Sequence, residues 1–178
     1  MGIEEQARID AAKKDPKHFR YFYERHHKEI FVFIYRRTDD EELTADLTQQ
    51  VFLKAMQGLE KYTYRGIPFS AWLYRIASNE VTQYFRDQQK TRIVSIENEG
   101  INEMMEEDYG HLDQARRESL FKAIKKLNAT DLELIEMRFF EKRSFKEIGE
   151  IKGITENNAK VKVHRILERV RNSITIEV

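Results

Sequence analysis

The chain lacks cysteine altogether, has only two prolines and seven glycines in 178 residues, and contains equal numbers of acidic and basic residues. Without cysteine it can form neither a disulfide nor a thiolate metal site. No apolar run approaches the roughly 20 residues of a membrane-spanning helix, and the acidic, polar start MGIEEQARID is unlike a signal peptide. With few helix-breaking residues, and with 40% hydrophobic and 35% charged residues, we expect a mostly helical, water-soluble protein of the cytoplasm.

The balanced net charge conceals an uneven distribution along the chain. Residues 1–90 contain 15 basic and 14 acidic residues, residues 91–112 contain one and six, and residues 113–178 contain 15 and 11. The three net charges are therefore +1, −5 and +4. Because the middle segment also shows no sustained helical period, it predicts an extended or partly disordered acidic linker between two units.

Residues 113–178 have the pattern of a four-helix domain that ends in a helix-turn-helix. The first helix is expected to end near Asn128. Capping boxes are predicted at residues 130–133 (TDLE) and 144–147 (SFKE), where a hydroxyl and a carboxylate bond reciprocally to backbone N–H groups at a helix start. Gly153 follows the second short helix, where a positive φ can end it, and Thr155 is expected to cap the last helix.

The last helix has an apolar inner face and a polar outer face. The inner face comprises Ala159, Val163, Ile166 and Val170. The opposite side comprises Asn157, Val161, His164 and Arg165, with Lys160 on its flank. Amide, ammonium and guanidinium groups suit base edges and phosphates, while the outward valine fits either a thymine methyl contact or an isolated surface valine. The whole pattern favours a DNA-binding helix-turn-helix over a solvated helical hairpin.

The N-terminal unit is predicted to be helical on both sides of an aromatic break. Helices are expected over residues 17–37, from the acidic turn at residues 38–42 onward, and again after TYRGIPF at residues 63–69. Aromatic, arginine and amide side chains surround the break: Tyr62, Tyr64, Arg65, Phe69, Trp72, Tyr74, Arg75 and Asn79. Aromatic residues interleaved with arginine can form a stacking platform for single-stranded bases, although core packing alone also accounts for some of the rings.

The polar residues of this unit form no catalytic or metal-binding constellation. His26 and His27 are adjacent rather than four apart, and no third ligand is evident, so a packed or solvated pair is favoured over a metal site. The carboxylates of residues 39–42 have no nucleophile or phosphate-binding loop nearby and are interpreted as helix-capping groups. We therefore expect no enzyme, no metal and no cofactor.

Three separate segments carry a combined pattern: DLTQQVFLKA at residues 46–55, FSAWLYRIASN at residues 69–79 and SFKEIGEIKGITENNAKVKVHRI at residues 144–166. Together they resemble the extracytoplasmic-function (ECF) sigma factors of bacterial RNA polymerase. The resemblance extends from about Lys17 to Ile174 with the motifs in the family's order. It implies an all-α fold of two small domains: residues 1–90 would bind core polymerase and recognise and melt the −10 element, residues 91–112 would be the extended acidic linker, and residues 113–178 would recognise the −35 element.

By position, the resemblance assigns three sets of contact residues. The core polymerase set comprises Asp46, Leu47, Gln49, Gln50 and Phe52. The set for single-stranded −10 DNA comprises Tyr62, Tyr64, Arg65, Gly66, Phe69, Trp72, Tyr74, Arg75 and Asn79. The set for double-stranded −35 DNA comprises Arg143, Ser144, Asn157, Asn158, Lys160, Val161, Lys162 and Arg165, the first two of them near phosphates.

The resemblance implies core RNA polymerase and promoter DNA as partners, an anti-sigma factor as a further partner, and neither a cofactor nor membrane insertion. The chain departs from the family at Gln50, where glutamate is frequent, and at Ile67-Pro68, where small polar residues are frequent; Pro68 stiffens this loop. A conventional helix-turn-helix regulator with an N-terminal effector or dimerisation domain would explain residues 113–178 equally well. It would leave DLTQQVF and the aromatic loop unexplained, and an enzyme with a helical catalytic domain would lack a catalytic constellation.

Overall fold

The computed structural model describes residues 2–88 and 114–176, and within these ranges every regular element is a helix. The chain divides into two compact units, one built mainly on residues 2–88 and the other on residues 114–176. The predicted all-α fold of two helical units is thus confirmed. The predicted linker at residues 91–112 lies outside the described residues. The limits of the two domains fall there as well and stay a prediction.

Within residues 2–88, the first unit has four α-helices and two short 3₁₀ turns. The α-helices are α1 Gly2–Lys14, α2 Arg20–Thr38, α3 Glu41–Gly58 and α4 Phe69–Asp87, and the 3₁₀ turns are Pro16–Phe19 and Leu59–Lys61. Helices α2, α3 and α4 pack against one another, and α1 packs against both 3₁₀ turns. Residues 62–68, called the 62–68 loop below, connect the second 3₁₀ turn to α4.

The junction between α2 and α3 is the acidic turn predicted from the sequence. Asp39 ends α2 in the left-handed region with φ 51°. Asp40 caps α3, since its carboxylate accepts a hydrogen bond from the Leu43 N–H at 2.9 Å. Glu41 and Glu42 follow in the first turn of α3, where the positive end of the helix dipole favours negative charge. These carboxylates therefore begin a helix, as expected.

Helix α1 is not expected from the sequence, because its apolar signal is weak. Only Ile9 and Ala12 are buried, at 0% and 3% exposure, and most of the other residues are polar. Two buried positions are too few to give a recognisable helical period. The helix is held by these two side chains and by Arg8, whose guanidinium lies 4.1 Å from the centre of the Tyr21 ring on α2.

One apolar stripe of α3 is buried. Leu47, Val51 and Ala55 are 4%, 0% and 0% exposed, whereas the neighbouring Met56 is 43% exposed. Full burial of a side chain such as valine or leucine contributes about 1.5–3 kcal/mol. This stripe therefore fixes the rotation of α3 against α2 and α4, and with it the set of α3 residues that face solvent.

The part of the second unit that the structure describes, residues 114–176, has four α-helices. They are α5 Gln114–Lys125, α6 Ala129–Ile135, α7 Phe145–Lys152 and α8 Glu156–Ile176, with a π-helical turn, Glu136–Phe140, continuing α6. Helix α8 packs against α5 and α6. Its predicted inner face is confirmed, since the side chains concerned are at most 2% exposed: Ala159, Val163, Ile166 and Val170. Helix α5 ends at Lys125, before the predicted end near Asn128.

One of the two predicted capping boxes is confirmed and the other is wrong. At the start of α7 the Ser144 Oγ accepts from the Glu147 N–H at 3.2 Å, and Glu147 Oε2 accepts from the Ser144 N–H at 2.9 Å. At the start of α6 the cap is Asn128 rather than Thr130, and its side-chain oxygen accepts from the Asp131 N–H at 2.9 Å. Asparagine caps helices at least as well as threonine, so α6 begins earlier than predicted.

Candidate nucleic-acid interface

The turn between α7 and α8 determines which face of α8 is exposed. Gly153 adopts φ 66°, and the Ile154 N–H donates to the Gly149 carbonyl at 2.9 Å. Thr155 then caps α8, because its Oγ1 accepts from the Asn158 N–H at 3.1 Å. The positive φ at the glycine and the threonine cap are both confirmed, and they produce the predicted helix-turn-helix.

Gly149 has a role in this turn that sequence reasoning missed. A Cβ atom at this position would lie 2.8 Å from the Ile154 carbonyl oxygen and 3.2 Å from the Glu156 nitrogen. The turn therefore crosses α7 at a point where only glycine leaves enough room. The signal in the sequence is a glycine within an otherwise amphipathic helix, which often marks such a close approach.

The outer face of α8 presents most of the residues predicted to contact −35 DNA. Those on this helix are all exposed: Asn157, Asn158, Lys160, Val161, Lys162 and Arg165. Val161 is 37% exposed among polar neighbours, so this valine faces outward as expected. Glu156 and Glu168 are also exposed and lie before and after this stretch.

The two residues predicted near phosphates are bonded within the second unit. Arg143 Nη1 lies 3.1 Å from Glu147 Oε1, and its side chain is only 12% exposed, while Ser144 caps α7. Burial acts to raise the pKa of Glu147, but hydrogen bonds from Ser144 and the Arg143 guanidinium outweigh it and lower this pKa below the usual 4.5. Arg143 and Ser144 therefore stabilise the start of α7 in addition to any contact with DNA.

Aromatic rings fix the first unit's loop to the start of α4. The Tyr62 ring centre lies 4.5 Å from that of Trp72 and 5.4 Å from that of Phe69, and Phe69 lies 4.2 Å from Phe22 in the core. Burial, followed by the charge of Glu5, raises the pKa of Tyr62 to about 12. Tyr62 is thus a neutral phenol at physiological pH and anchors the beginning of the 62–68 loop.

The residues predicted to contact −10 DNA divide into buried and accessible groups. Phe69 and Tyr74 are 0% and 3% exposed, and Tyr74 packs edge-on against Phe33 with 4.9 Å between ring centres. These two rings belong to the core and offer no surface to a base. The accessible members, exposed or partly exposed, are Tyr62, Tyr64, Arg65, Gly66, Trp72, Arg75 and Asn79.

An open cleft of about 830 Å³ lies beside the 62–68 loop. Tyr64 lines it from the loop, and Arg8 and Arg25 line it from α1 and α2. Both guanidinium groups contact the ring of Tyr21, at 4.1 and 5.9 Å from its centre. Clefts of this size accommodate small organic ligands. Glu4 and Glu5 also line this cleft, and Glu4 pairs with Arg8 at 3.0 Å, so the Tyr64 ring and the Arg25 guanidinium are the groups that suit a base attached to its phosphate.

The adjacent histidines are packed against neighbours. His26 is buried and its Nδ1 is hydrogen-bonded to the Glu29 carboxylate, while the His27 ring centre lies 4.9 Å from that of Tyr23. In residues 2–88 and 114–176 no group of three or more histidine, cysteine or acidic residues is arranged to hold a metal ion. None of the helices described there is both long and apolar enough to cross a membrane.

The predicted polymerase-binding segment of α3 has an exposed polar side and a buried side. Asp46, Gln49 and Gln50 are exposed, whereas Leu47 and Phe52 are each 4% exposed and pack inward. A direct contact with a partner is therefore available to the first three side chains. The other two contribute by holding α3 in place.

The exposure of two apolar residues of α3 was not predicted from the sequence. Leu53 and Met56 are 50% and 43% exposed, and Tyr23 of α2 is 42% exposed. The three line a groove of about 670 Å³ between the two helices. The sequence signal is the adjacent pair Phe52-Leu53, since consecutive residues of a helix cannot share one face and one of the two must point outward.

Family models cover both units of the chain. Sigma-70 region 2 matches residues 22–91, and sigma-70 region 4 matches residues 123–172. The RNA polymerase sigma factor SigV of Bacillus subtilis is 30% identical over 156 residues, which cover 85% of this chain and 88% of that protein. The ECF RNA polymerase sigma factor BldN of Streptomyces coelicolor is 27% identical over 83% of this chain, which spans only 56% of the length of BldN.

Two solved structures share the fold over nearly the whole chain. CnrH, solved in complex with the cytosolic domain of CnrY, gives a TM-score of 0.62 at 15% identity and covers 98% of this chain and 99% of its own. The sigma factor RpoE of Bartonella quintana, solved in complex with the anti-sigma factor NepR, gives 0.60 at 20% identity, with coverage of 91% and 99%. At such low identities the likeness concerns the fold alone.

Proposed function

Because the chain belongs to the ECF group of RNA polymerase sigma factors, which direct core RNA polymerase to promoters, we propose that its two units divide promoter recognition between them. The first unit binds the core enzyme and opens the −10 element, and the second recognises the −35 element. The observation that carries this proposal is the 62–68 loop, which is anchored by packed rings and presents an accessible tyrosine to an open cleft.

The loop is suited to holding one unpaired base of the −10 element. Extruding a base from the duplex costs a few kcal/mol, and stacking it on an aromatic ring returns about 1–3 kcal/mol. Tyr64 can supply the ring, and the exposed Arg65 beside it can approach a phosphate. Trp72, Arg75 and Asn79 recur at helical spacing on α4, so the rest of the strand can follow that face and bond the Asn79 amide.

The outer face of α8 is suited to the major groove of the −35 element. A groove about 12 Å wide admits an α-helix, and asparagine and arginine can bond in pairs to adenine and guanine edges. Asn157, Asn158 and Arg165 are exposed for such contacts, and Lys160 and Lys162 are exposed for phosphates. The glycine-containing turn holds this face in a fixed direction, which supports readout of bases rather than only charge attraction.

The exposed side of α3 is suited to core polymerase. Asp46, Gln49 and Gln50 offer polar contacts, and the groove formed with Leu53 and Met56 adds an apolar surface that an isolated domain would rarely leave open. Gln50 removes a negative charge that is frequent in the family at this position. We therefore expect this contact to depend less on salt than one made through a carboxylate.

The sigma factor family is not a catalytic one, and we propose that this chain likewise acts in the cytoplasm without catalysis, metal or cofactor. CnrH and the Bartonella RpoE were each solved with a protein partner, and that of RpoE is an anti-sigma factor. An anti-sigma factor is therefore included among the partners proposed here, beside core polymerase and promoter DNA.

Run-off transcription with purified core polymerase tests the proposal on a pool of genomic promoter fragments. A sigma factor makes the core enzyme start at discrete promoters, whereas a conventional helix-turn-helix regulator cannot do so alone. On a promoter recovered this way, Tyr64→Ala and Asn79→Ala should leave polymerase binding intact and sharply reduce transcription from duplex DNA. Tyr84→Ala, on α4 but turned away from the face of Trp72 and Asn79, is the matched control.

A template already mismatched at the −10 element identifies the step affected. It removes the unpairing cost, so it should restore much of the activity of both variants. If it does not, the loop serves the polymerase or the fold, and the base-capture role is wrong.

A further inference from the structure

Helix α1 contacts the 62–68 loop at its beginning, middle and end. Lys13 Nζ donates to the Tyr62 carbonyl oxygen at 2.6 Å, and Glu5 Oε1 accepts from the Phe69 N–H at 3.1 Å. Between these bonds, the Tyr64 hydroxyl lies 3.0 Å from the place that a Cβ on Gly2 would occupy. A helix that the sequence pattern does not reveal thus fixes both ends of the proposed base-capturing loop.

The bond from Glu5 compensates for a missing cap on α4. Pro68 occupies the N-cap position and makes no side-chain hydrogen bond to the helix, because proline has no side-chain acceptor. The first N–H groups of a helix have no partner within that helix. Glu5, 64 positions away in the chain, supplies an acceptor for Phe69, and its negative charge is favourable at the positive end of the helix.

Helix α1 is docked independently of these two bonds. Ile9 and Ala12 are 0% and 3% exposed against the rest of the unit, and Arg8 lies 4.1 Å from the Tyr21 ring centre. Removing either Glu5 or Lys13 should therefore leave the helix in place. The two side chains can be tested as tethers without removing the element that carries them.

We propose that Glu5 and Lys13 are positioning residues for promoter opening, which hold the 62–68 loop in the conformation that presents Tyr64 to an extruded base. The proposal rests on the base-capture role proposed above for this tyrosine. A loop already fixed at both ends loses less conformational freedom when it binds a base than a free loop does. The tethers would thus favour strand opening without touching DNA.

Amide hydrogen exchange in the free full-length protein tests the tether itself. Glu5→Ala removes the acceptor of the Phe69 N–H and should speed its exchange by about fivefold, as expected for a lost helix cap. Glu5→Gln keeps an oxygen at the same place and should retain most of the protection. Asp10→Ala, which removes another carboxylate of α1 that bonds to Gln6, is the control. Unchanged exchange at Phe69 in Glu5→Ala would overturn the proposal.

Transcription on duplex and mismatched −10 templates tests the consequence of losing a tether. Glu5→Ala and Lys13→Met should each reduce duplex transcription about tenfold, which corresponds to about 1.4 kcal/mol, and the mismatched template should restore most of it. Glu5→Gln should stay near wild type, and Lys14→Met, at the exposed neighbouring position, is the matched control.

Tyr64→Ala separates the two proposals, because it keeps both tethers. If the mismatched template rescues Tyr64→Ala but not Glu5→Ala or Lys13→Met, the positioning role is wrong and base capture stands. If Tyr64→Ala is not rescued either, base capture is wrong and the positioning role falls with it.

Discussion

Gly149 lies inside α7, where alanine would ordinarily be the better helix former by about 1 kcal/mol. At this position we expect alanine to destabilise the protein instead. An alanine Cβ would lie 2.8 Å from the Ile154 carbonyl oxygen and 3.2 Å from the Glu156 nitrogen. Both atoms belong to the backbone that leads into α8, so the clash cannot be relieved by rotating a side chain. The start of α8 would have to move.

The size of the effect follows from what such a movement disrupts. Overpacking in a filled site costs about 1–3 kcal/mol. Displacing the turn also strains the bond from the Ile154 N–H to the Gly149 carbonyl, at 2.9 Å, and a bond of this kind contributes about 0.5–1.5 kcal/mol. After subtracting the gain in helix propensity, we expect Gly149→Ala to destabilise the second unit by about 1–3 kcal/mol.

Gly58 provides a matched control in the first unit. It ends α3 with a helical φ of −86°, and a Cβ there would meet the Trp72 ring at 3.4 Å, an ordinary van der Waals distance. Gly58→Ala should therefore be neutral or stabilising by up to about 1 kcal/mol. The two substitutions are chemically identical and differ in whether backbone occupies the space.

Amide exchange in the full-length protein reports the second unit directly. In Gly149→Ala the buried amides of Ala159 and Val163 should exchange about 5- to 150-fold faster, since 1.4 kcal/mol corresponds to tenfold. The fluorescence of Trp72, the only tryptophan, reports the first unit and should not change. Equal or slower exchange in the α8 amides of Gly149→Ala would refute the steric argument.

Three further predictions concern charge and backbone. Glu147→Gln should cost about 1 kcal/mol at neutral pH, because the amide oxygen can still accept from the Ser144 N–H but the negative charge facing Arg143 at 3.1 Å is lost. Because the folded state lowers the pKa of Glu147 below 4.5, the wild-type advantage exists above that value and should vanish as pH falls through the folded-state pKa. A pH-independent difference in urea unfolding would contradict this prediction. Lys160→Glu should weaken −35 DNA binding and lower its salt slope by about 0.9 for each phosphate that the protein no longer neutralises. Lys122→Glu on α5 is the control and should leave binding unchanged. Equal affinities of the wild type and Lys160→Glu for −35 DNA would show that α8 does not bind DNA. Gly66→Ala should destabilise the first unit by about 1–2 kcal/mol, because alanine is strained at a φ of +72°. No atom lies within 4 Å of the new Cβ, so a steric clash adds nothing to this cost. Unfolding followed by Trp72 fluorescence measures the destabilisation.

The features that could be predicted from the sequence are those determined within a few residues. Asp40 and Leu43, or Ser144 and Glu147, are three positions apart and meet as soon as the helix forms. The wrong prediction of the N-cap residue of α6 has the same local origin. Asn128 and Thr130 both suit an N-cap, and periodicity alone does not rank two candidates so close together.

The features that could not be predicted depend on distant parts of the chain. The bonds from Glu5 to Phe69 and from Lys13 to Tyr62 join residues 64 and 49 positions apart. The polar surface of α1 gives no apolar period from which its packing partner could be inferred. The burial of Tyr74 likewise follows from the position of Phe33 on another helix, whereas the sequence shows only an aromatic residue beside arginine.

The two proposed DNA-binding surfaces differ in how their geometry is fixed, and the difference suits their tasks. A duplex presents a regular groove, so a single helix oriented by its own turn is sufficient, and the bonds of Thr155 and Ile154 that orient α8 are local. An unpaired strand presents no fixed surface, so the protein has to supply the order. The 62–68 loop is accordingly held by Lys13 and Glu5 from a separate helix and by the ring of Trp72. A substitution that loosens α8 should therefore weaken binding to closed duplex promoters, whereas one that loosens the loop should spare that binding and slow opening.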